Sequence, residues 1–385
     1  MQDLQVLRAL ATLCGNAIAP TSVARPPALP PLDCLFAAAE QHDVAGVVAA
    51  TLLANCRGEL PDEVCEGLAI YREGMRLDAL RAEAQLAALL HLLAERGLPA
   101  MPFKGPLLAR NAYADPTLRP CLDLDLMVHP DDVPHVLACL VDAGFRHQEG
   151  LGPDGVEALR QYAGEYILFR PNSLPVEPHW GPAPWTMAFD IDIDALWRRA
   201  RPATFLGAPC YLPTQEDHLL LLALHGAKEQ WHKLKWVLDV AALLASHPRL
   251  DLAALRAAAA PQGCGRMLDL ALLLTHRLFA IPAAVPSTDR DVARLADRVV
   301  ERLDRTAEAP PGPYVVSSFH WRLRERQRDR LSYAVRTLFT PRVAHYRRLP
   351  LPPALRWLHV PLKLPWDHVL TPAVGLARRM SRPAP

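Results

Sequence analysis

Apolar residues recur at helical spacing through most of the chain, and the pattern changes only between about residues 99 and 212. Leu and Ala at intervals of three and four predict helical regions over 1–17 and 33–97, the second closing with a long helix that ends at Gly97. In LDLDLMV, apolar residues alternate instead with polar ones, which predicts a half-buried strand over 122–128. EYILFR and LPVEPHW predict two further strands, forming an antiparallel pair across the turn residues PNS.

Helical spacing returns after these strands. A single long helix is predicted to begin at Thr214, which forms a capping-box pattern with Asp217, and to run through VLDVAALL. The predicted fold class is therefore α+β: a small mixed sheet with flanking helices, embedded between N-terminal and C-terminal helical regions. Four regions follow from this pattern: an N-terminal helical region (1–98), an α/β core (99–212), a helical domain (213–310) and an Arg/Pro-rich C-terminal region (311–385).

Composition places the chain among globular proteins with a sizeable core. It has 385 residues, of which 51% are hydrophobic and 22% are charged. We find no run of about 18 uncharged apolar residues and no signal-peptide pattern, so no integral membrane segment is predicted. The eight cysteines are scattered and lack the spacing of a zinc site, which predicts reduced thiols in a cytoplasmic protein.

Charge is unevenly distributed. From Glu301 onward there are 16 Lys and Arg against six Asp and Glu, which gives this part a charge of +10. The first 300 residues carry a charge of −9, and the whole chain has a net charge of +1. This tail could attract RNA, an acidic protein or an anionic membrane, or it could dock on the acidic remainder of the chain. We find no RNP, KH or helix-turn-helix signature in the sequence, so sequence-specific DNA binding is not predicted.

The predicted strand LDLDLMV carries two carboxylates on one face. Asp123 and Asp125 are separated by two residues, so their side chains lie about 6–7 Å apart on that face. Glu177 and His179 share a face of a later strand, and Glu177 approaches the aspartates if the strands pair. Three clustered carboxylates repel one another unless a cation lies among them, and Mg²⁺ prefers oxygen ligands. The alternative is that the aspartates are solvated edge-strand residues paired with arginines.

The residues upstream of these aspartates favour the metal site. Gly105 opens a short helix, so that backbone N–H groups there can approach a phosphate. Lys104 and Arg119 can supply cations to the same triphosphate. Each of these residues also has an ordinary interpretation, as a turn or as a surface charge.

The run FKG…Y-x-D-P-x-x-R-P-x-x-D-x-D-L-x-V resembles a family of uncharacterised nucleotidyltransferases within the DNA-polymerase-β-like nucleotidyltransferase superfamily. The similarity continues in VEPHW, in LHGAKEQWHKLKWVLDVAALL and loosely in TPRVAHYRRLPLP. The resemblance implies a nucleotidyltransferase-type sheet, with Asp123 and Asp125 as the metal-binding pair, Glu177 as the third carboxylate and Gly105 in the turn that holds the phosphates. Two positions depart from the family: the usual Gly-Ser turn reads Lys-Gly-Pro here, and Glu177 replaces an Asp.

A polar stripe follows the predicted long helix. His225, Lys228, His232, Lys235 and Asp239 recur at steps of three and four, which would place them on one face. Such a stripe can be a solvated face. The family resemblance singles out His225, Lys228, Trp236 and Asp239, which implies instead that part of the stripe faces the nucleotide. Trp236 is either a core residue or a platform for the base.

These residues predict a Mg²⁺-dependent nucleotidyltransferase, with Mn²⁺ as a substitute ion. The enzyme would transfer NMP from an NTP, such as ATP, to an unidentified acceptor and release pyrophosphate. The acceptor could be a small molecule, a peptide, a protein or an RNA. Two alternatives remain: a catalytically inactive relative that binds a nucleotide or a protein, and a phosphotransferase that uses the γ-phosphate.

Overall fold

A computed structural model describes residues 2–18, 29–147, 153–189, 191–281, 289–304 and 315–367. The segment between the first two predicted helical regions and the predicted Arg/Pro-rich C-terminal region therefore lie partly outside the described residues. Within these ranges the protein is an α+β structure, in which a small mixed sheet is flanked by helices, as the sequence predicted. Among the residues described, no helix is both long enough and apolar enough to cross a bilayer.

The main sheet has five strands in the order β1-β2-β5-β4-β3. Strands β2 and β5 are parallel, whereas the other neighbouring pairs are antiparallel. A separate hairpin, β6–β7, lies beside β1, where the Tyr211 N–H donates to the carbonyl of Ala100 at 2.9 Å. The strands are β1 (Met101–Pro102), β2 (Leu124–Met127), β3 (Arg146–His147), β4 (Leu168–Phe169), β5 (Val176–His179), β6 (Arg201–Phe205) and β7 (Ala208–Leu212).

Helices precede, interrupt and follow the sheet. The first half of the chain contains α1 (Gln2–Ile18), α2 (Leu32–Gln41), α3 (Ala45–Asn55), α4 (Asp62–Glu95), α5 (Gly105–Ala112), α6 (Val133–Asp142), α7 (Pro153–Ala163) and α8 (Ile193–Arg199). The second half contains α9 (Gln215–Lys228), α10 (Leu234–Ser246), α11 (Leu252–Ala259), α12 (Gly265–Phe279), α13 (Arg290–Asp304), α14 (Ser318–Leu323), α15 (Gln327–Phe339), α16 (Val343–Arg348) and α17 (His359–Pro365).

Two large apolar cores and a third, smaller cluster hold these elements together. The larger core joins the N-terminal helices to α9, α10, α12 and α13 through fully buried side chains such as Leu52, Leu224 and Leu270. The second core lies under the main sheet, where α4 and α6 cover the apolar face of β2 and β5. Because Leu124 and Leu126 point into this second core, the alternate side chains of β2 are left on the opposite face.

The predicted long helix after residue 213 is wrong, because the chain breaks it into α9 and α10. Gln230 and Trp231 both adopt left-handed backbone conformations, with φ of 54°. The Trp231 side chain is fully buried against Gly226, where no Cβ would fit. The predicted start of the helix is confirmed, since the Thr214 hydroxyl accepts the N–H of Asp217 at 3.1 Å.

Candidate active site

The parallel pairing of β2 and β5 brings the predicted carboxylates together. Asp125 lies directly opposite Glu177, and Met127 lies opposite His179. Asp123 immediately precedes β2, two residues before Asp125. Since side chains two residues apart leave the same face of a strand, the three acids converge at one place on the sheet.

His179 belongs to this cluster. Its Nε2 lies 2.9 Å from Asp125 Oδ1 and 3.8 Å from Glu177 Oε2. Asp125, Glu177 and His179 each offer a ligand atom, and these atoms lie within 4.8 Å of one another. The sequence placed His179 beside Glu177 on the strand but did not identify it as a possible metal ligand.

Lys104 is the buried cation of the cluster. Its Nζ lies 2.5 Å from Asp125 Oδ1 and 3.4 Å from His225 Nδ1. Burial lowers the pKa of Lys104, but the charges of Asp125 and Asp123 outweigh that effect and raise it. For Asp125, burial raises the pKa, but Lys104 and His179 lower it further. Lys104 is therefore an ammonium group and Asp125 is a carboxylate.

At the other two acids, Glu177 and Asp123, the charges of nearby cations do not outweigh the effect of burial. Burial, followed by the charge of Asp125, raises the pKa of Glu177 to about 7. The same two causes raise the pKa of Asp123. The cluster thus holds more carboxylate groups than its cations can neutralise, and an added cation would favour their ionised forms.

Gly105 sits where the backbone passes closest to the aspartates. Its φ is +57°, and an added Cβ would lie 3.3 Å from Cys121 Sγ and 3.4 Å from the carbonyl oxygen of Asp123. Both the conformation and the space therefore favour glycine here. Gly105 begins α5, so the start of that helix lies beside Asp123; the following Pro106 has no N–H to offer.

Arg119 forms a closed ion pair with Asp239. Its Nε donates to Asp239 Oδ1 at 2.7 Å and its Nη2 donates to Oδ2 at 3.0 Å, while the side chains are only 6% and 3% exposed. The Tyr113 hydroxyl donates to the same carboxylate at 2.8 Å. Arg119 also reaches the carbonyl of Gly105 through Nη1 at 3.4 Å, so the pair connects α10 to the glycine turn.

Lys228 contacts a carboxylate that the sequence analysis missed. Its Nζ lies 3.0 Å from both oxygens of Glu165, and Glu165 Oε2 lies 3.0 Å from His179 Nδ1. Glu165 is the first residue of the predicted strand EYILFR, and no spacing rule connected it to the aspartates. The only sequence signal was its position at the start of a predicted strand of the same sheet.

The break between α9 and α10 separates the predicted polar stripe. His225 and Lys228 lie on α9, whereas Asp239 lies on α10. Burial, followed by the charges of Lys104 and Lys228, lowers the pKa of His225 well below its ordinary value, so its imidazole is neutral. The Trp236 ring meets the edges of the His225 and His232 rings at centroid distances of 5.4 and 4.6 Å.

The donor set fits a divalent cation. Asp125 and Glu177 offer carboxylate oxygens, His179 offers an imidazole nitrogen, and Asp123 adds a further carboxylate nearby. Oxygen donors suit Mg²⁺ and Mn²⁺, and a single nitrogen is compatible with Mn²⁺. Lys104 already binds one oxygen of Asp125, so a cation would share that carboxylate with the ammonium group.

Comparison with known proteins agrees with this geometry. A family described as “Uncharacterised nucleotidyltransferase” matches residues 31–280, well over half of the chain. The protein belongs to this nucleotidyltransferase family. The family match covers every candidate site residue, from Lys104 to Asp239. Searches among curated proteins and among solved structures found no match.

Proposed function

We propose that the protein is a Mg²⁺-dependent nucleotidyltransferase, with Mn²⁺ as an alternative ion, that transfers NMP from an NTP to an acceptor. The observation that carries the proposal is the direct pairing of Asp125 with Glu177, beside Asp123 and the Gly105 turn, in a member of this family. We take ATP as the first donor to test. The eight free cysteines support a cytoplasmic setting, because reducing compartments keep thiols unpaired.

The carboxylates and His179 would hold the metal. Asp123, Asp125, Glu177 and His179 are the residues we assign to it. When bound, the ion would neutralise developing charge and stabilise the leaving pyrophosphate. The pKa of Glu177 is about 7 without metal, and a bound cation would favour its ionised form, which can accept a proton.

In the proposed reaction, one bond to the α-phosphorus forms and another breaks. The acceptor oxygen forms a bond to the α-phosphorus, and the bond from that phosphorus to the bridging oxygen breaks. The bonding electron pair leaves with pyrophosphate, and the acceptor proton passes to a Glu177 carboxylate oxygen. Lys104 and the N–H groups at the start of α5 would bind the phosphates.

Other predicted nucleotide ligands fit less direct roles. Arg119 and Asp239 satisfy each other, so we assign them to supporting the Gly105 turn rather than to touching phosphate. His225 lies against Lys104 and would position its ammonium group. Lys228 would act through Glu165, which it neutralises.

A nucleotide-binding relative without transfer activity is the second candidate. The observation in its favour is the ammonium group of Lys104, 2.5 Å from Asp125, since it already supplies a positive charge at the centre of the carboxylates. Such a protein would bind NTP but would not cleave it.

Radiolabelled nucleotides separate these functions. The purified protein is incubated with each α-³²P-labelled NTP, Mg²⁺ or Mn²⁺, and cell extract, and the labelled product is identified. We expect label from the α-position in an acceptor and release of pyrophosphate. Label from γ-³²P-ATP instead would indicate a phosphotransferase, and nucleotide binding without any labelled product would favour the second candidate.

Two variants make this experiment specific. Asp123→Asn removes a proposed metal ligand and should abolish labelling. Asp131→Asn is the matched control, because Asp131 follows the same strand but its side chain is 90% exposed and outside the cluster. Equal labelling by the two variants would contradict the proposal.

A further inference from the structure

Glu165 lies behind the proposed metal site, on the side of His179 that faces away from the aspartates. His179 is held between two carboxylates: Nε2 is 2.9 Å from Asp125 Oδ1, and Nδ1 is 3.0 Å from Glu165 Oε2. The His179 side chain is only 3% exposed, so these contacts dominate its surroundings. Glu165 itself has no contact with Asp125 or Glu177 among those in the described residues.

The backbone around Glu165 is fixed to β5. Glu165 forms an isolated antiparallel bridge with His179, and the N–H of Tyr166 donates to the carbonyl of Pro178 at 3.2 Å. The carbonyl of Gly164 accepts the N–H of Trp180 at 2.9 Å. Gly164 has a φ of +82°, and an added Cβ would lie 2.7 Å from the carbonyl oxygen of Ala183. A side chain at this position would therefore collide with the loop that follows β5.

Lys228 holds the carboxylate from the opposite side. Both oxygens of Glu165 lie 3.0 Å from Lys228 Nζ, so its position is determined from α9 as well as from β5. A carboxylate held from two elements can fix the ring of a neighbouring histidine. In the structure His179 Nε2 donates to Asp125, so a metal at Nε2 would have to displace that proton. The Glu165 carboxylate, 3.0 Å from Nδ1, would then favour the tautomer protonated at Nδ1 and leave the Nε2 lone pair facing the metal.

We propose that Glu165 is a positioning residue that aims His179 Nε2 at the metal held by Asp125 and Glu177. The inference rests on the metal site of the proposed function. Glu165 does not touch the metal or the nucleotide. Its contribution is to the orientation of the imidazole, and through Lys228 it connects that orientation to α9.

Mn²⁺ binding to the full-length protein tests this inference without nucleotide or acceptor. Free Mn²⁺ is followed by electron paramagnetic resonance during titration at constant pH. We expect Glu165→Ala to weaken binding by about 10- to 100-fold, the usual cost of losing a residue that orients a metal ligand. Glu165→Gln should restore most of the affinity, because its amide oxygen can still accept the Nδ1–H group.

Glu229→Ala is the matched control. Glu229 Oε1 lies 3.5 Å from Lys228 Nζ, so it shares Lys228 with Glu165 but does not contact His179. We expect the Mn²⁺ affinity of this variant to equal that of the wild type. In Glu165→Ala, Glu229 still provides Lys228 with a carboxylate partner. Circular dichroism checks that Glu165→Ala folds. If Glu165→Ala does not fold, Glu165→Leu is compared with Glu165→Gln in its place.

Several outcomes would overturn the inference. They are Mn²⁺ binding by Glu165→Ala within twofold of wild type, an equal loss in Glu229→Ala, no recovery in Glu165→Gln, and no Mn²⁺ binding by the wild type. A protein that binds Mn²⁺ in a Glu165-dependent way but transfers no NMP would leave this inference standing and contradict the proposed function instead.

Discussion

Two buried charged clusters adjoin the Gly105 turn, and their charges are balanced differently. The Arg119 pair, formed by Arg119 and Asp239, matches one cation to one anion and satisfies both carboxylate oxygens, and the Tyr113 hydroxyl donates to the same carboxylate. The carboxylate cluster, formed by Asp123, Asp125 and Glu177, has an excess of acids beside Lys104 and His179.

The pKa values express the same difference. Burial lowers the pKa of Arg119, but Asp239 outweighs it and raises that pKa, so the Arg119 pair is stable without any ligand. Burial and Asp125 instead raise the pKa of Glu177 to about 7, so ionising the carboxylate cluster is unfavourable until a cation arrives. Balanced charges indicate a structural role, whereas an excess of charges of one sign indicates a binding site.

The largest expected effect is on activity, and it tests the carboxylate cluster. Glu177→Gln should reduce NMP transfer by at least about 10³-fold, or about 4 kcal/mol of transition-state stabilisation. The melting temperature without metal should stay at or above that of wild type, because the neutral amide avoids burying a charge. Steady-state rates and calorimetry check the two effects, and a parallel loss of stability would make Glu177 structural.

The next effect is on stability, and it tests the Arg119 pair. Arg119→Met leaves the Asp239 carboxylate buried without its ion partner and should lower the free energy of unfolding by about 3–5 kcal/mol. Replacing both partners, as Arg119→Met with Asp239→Leu, should recover most of that loss. Urea unfolding measures both. If Arg119→Met unfolds like wild type but raises the KM for NTP, Arg119 binds phosphate directly, as the sequence predicted.

A smaller effect is the pH dependence of the metal-free protein. The pKa of Glu177 rises from 4.5 in the unfolded chain to about 7 in the folded one, so the folded state binds the proton more tightly. The contribution of Glu177 to stability should therefore fall as pH rises from about 5 to 7 and stay low above that, while Mn²⁺ binding strengthens up to about tenfold per pH unit over the same range.

Melting temperatures with and without Mn²⁺ measure this behaviour. Asp125 and Glu165 have lowered pKa values, so the stability that they contribute is lost only at more acidic pH. Buried histidines such as His218, whose pKa is lowered to about 4, instead add stability as pH rises from about 4 to 6.5, so Glu177→Gln is the reference. Relative to this variant, the metal-free wild type should lose stability between about pH 5 and 7. A difference that does not change with pH would argue against a protonated Glu177.

The smallest expected effect separates the contribution of Tyr113 from that of the Arg119 pair. Tyr113→Phe removes one hydrogen bond to Asp239 but leaves both bonds from Arg119 in place. We expect a loss of about 1 kcal/mol in the free energy of unfolding, the usual net value of such a bond. Urea unfolding measures it, and a loss comparable with that of Arg119→Met would mean that the tyrosine, rather than the ion pair, holds Asp239.

Local pattern predicted the parts of the site that lie close together in the sequence. Alternation in LDLDLMV identified β2 and put Asp123 and Asp125 on one face, and the glycine after Lys104 identified the turn before α5. The prediction that Arg119 and Asp239 both face the nucleotide remains untested. Its weakness is that two oppositely charged residues 120 positions apart can meet each other, and sequence spacing carries no information about that contact.

The amino-acid sequence by itself determined the α+β class, the D-x-D strand, the glycine turn and the family, because each depends on neighbouring residues or on a linear motif. Only the tertiary structure decided that β2 and β5 are parallel with Asp125 opposite Glu177, that Glu165 reaches His179, and that the chain reverses at Gln230 and Trp231. Those features arise from packing between distant segments, where burial overrides local preference.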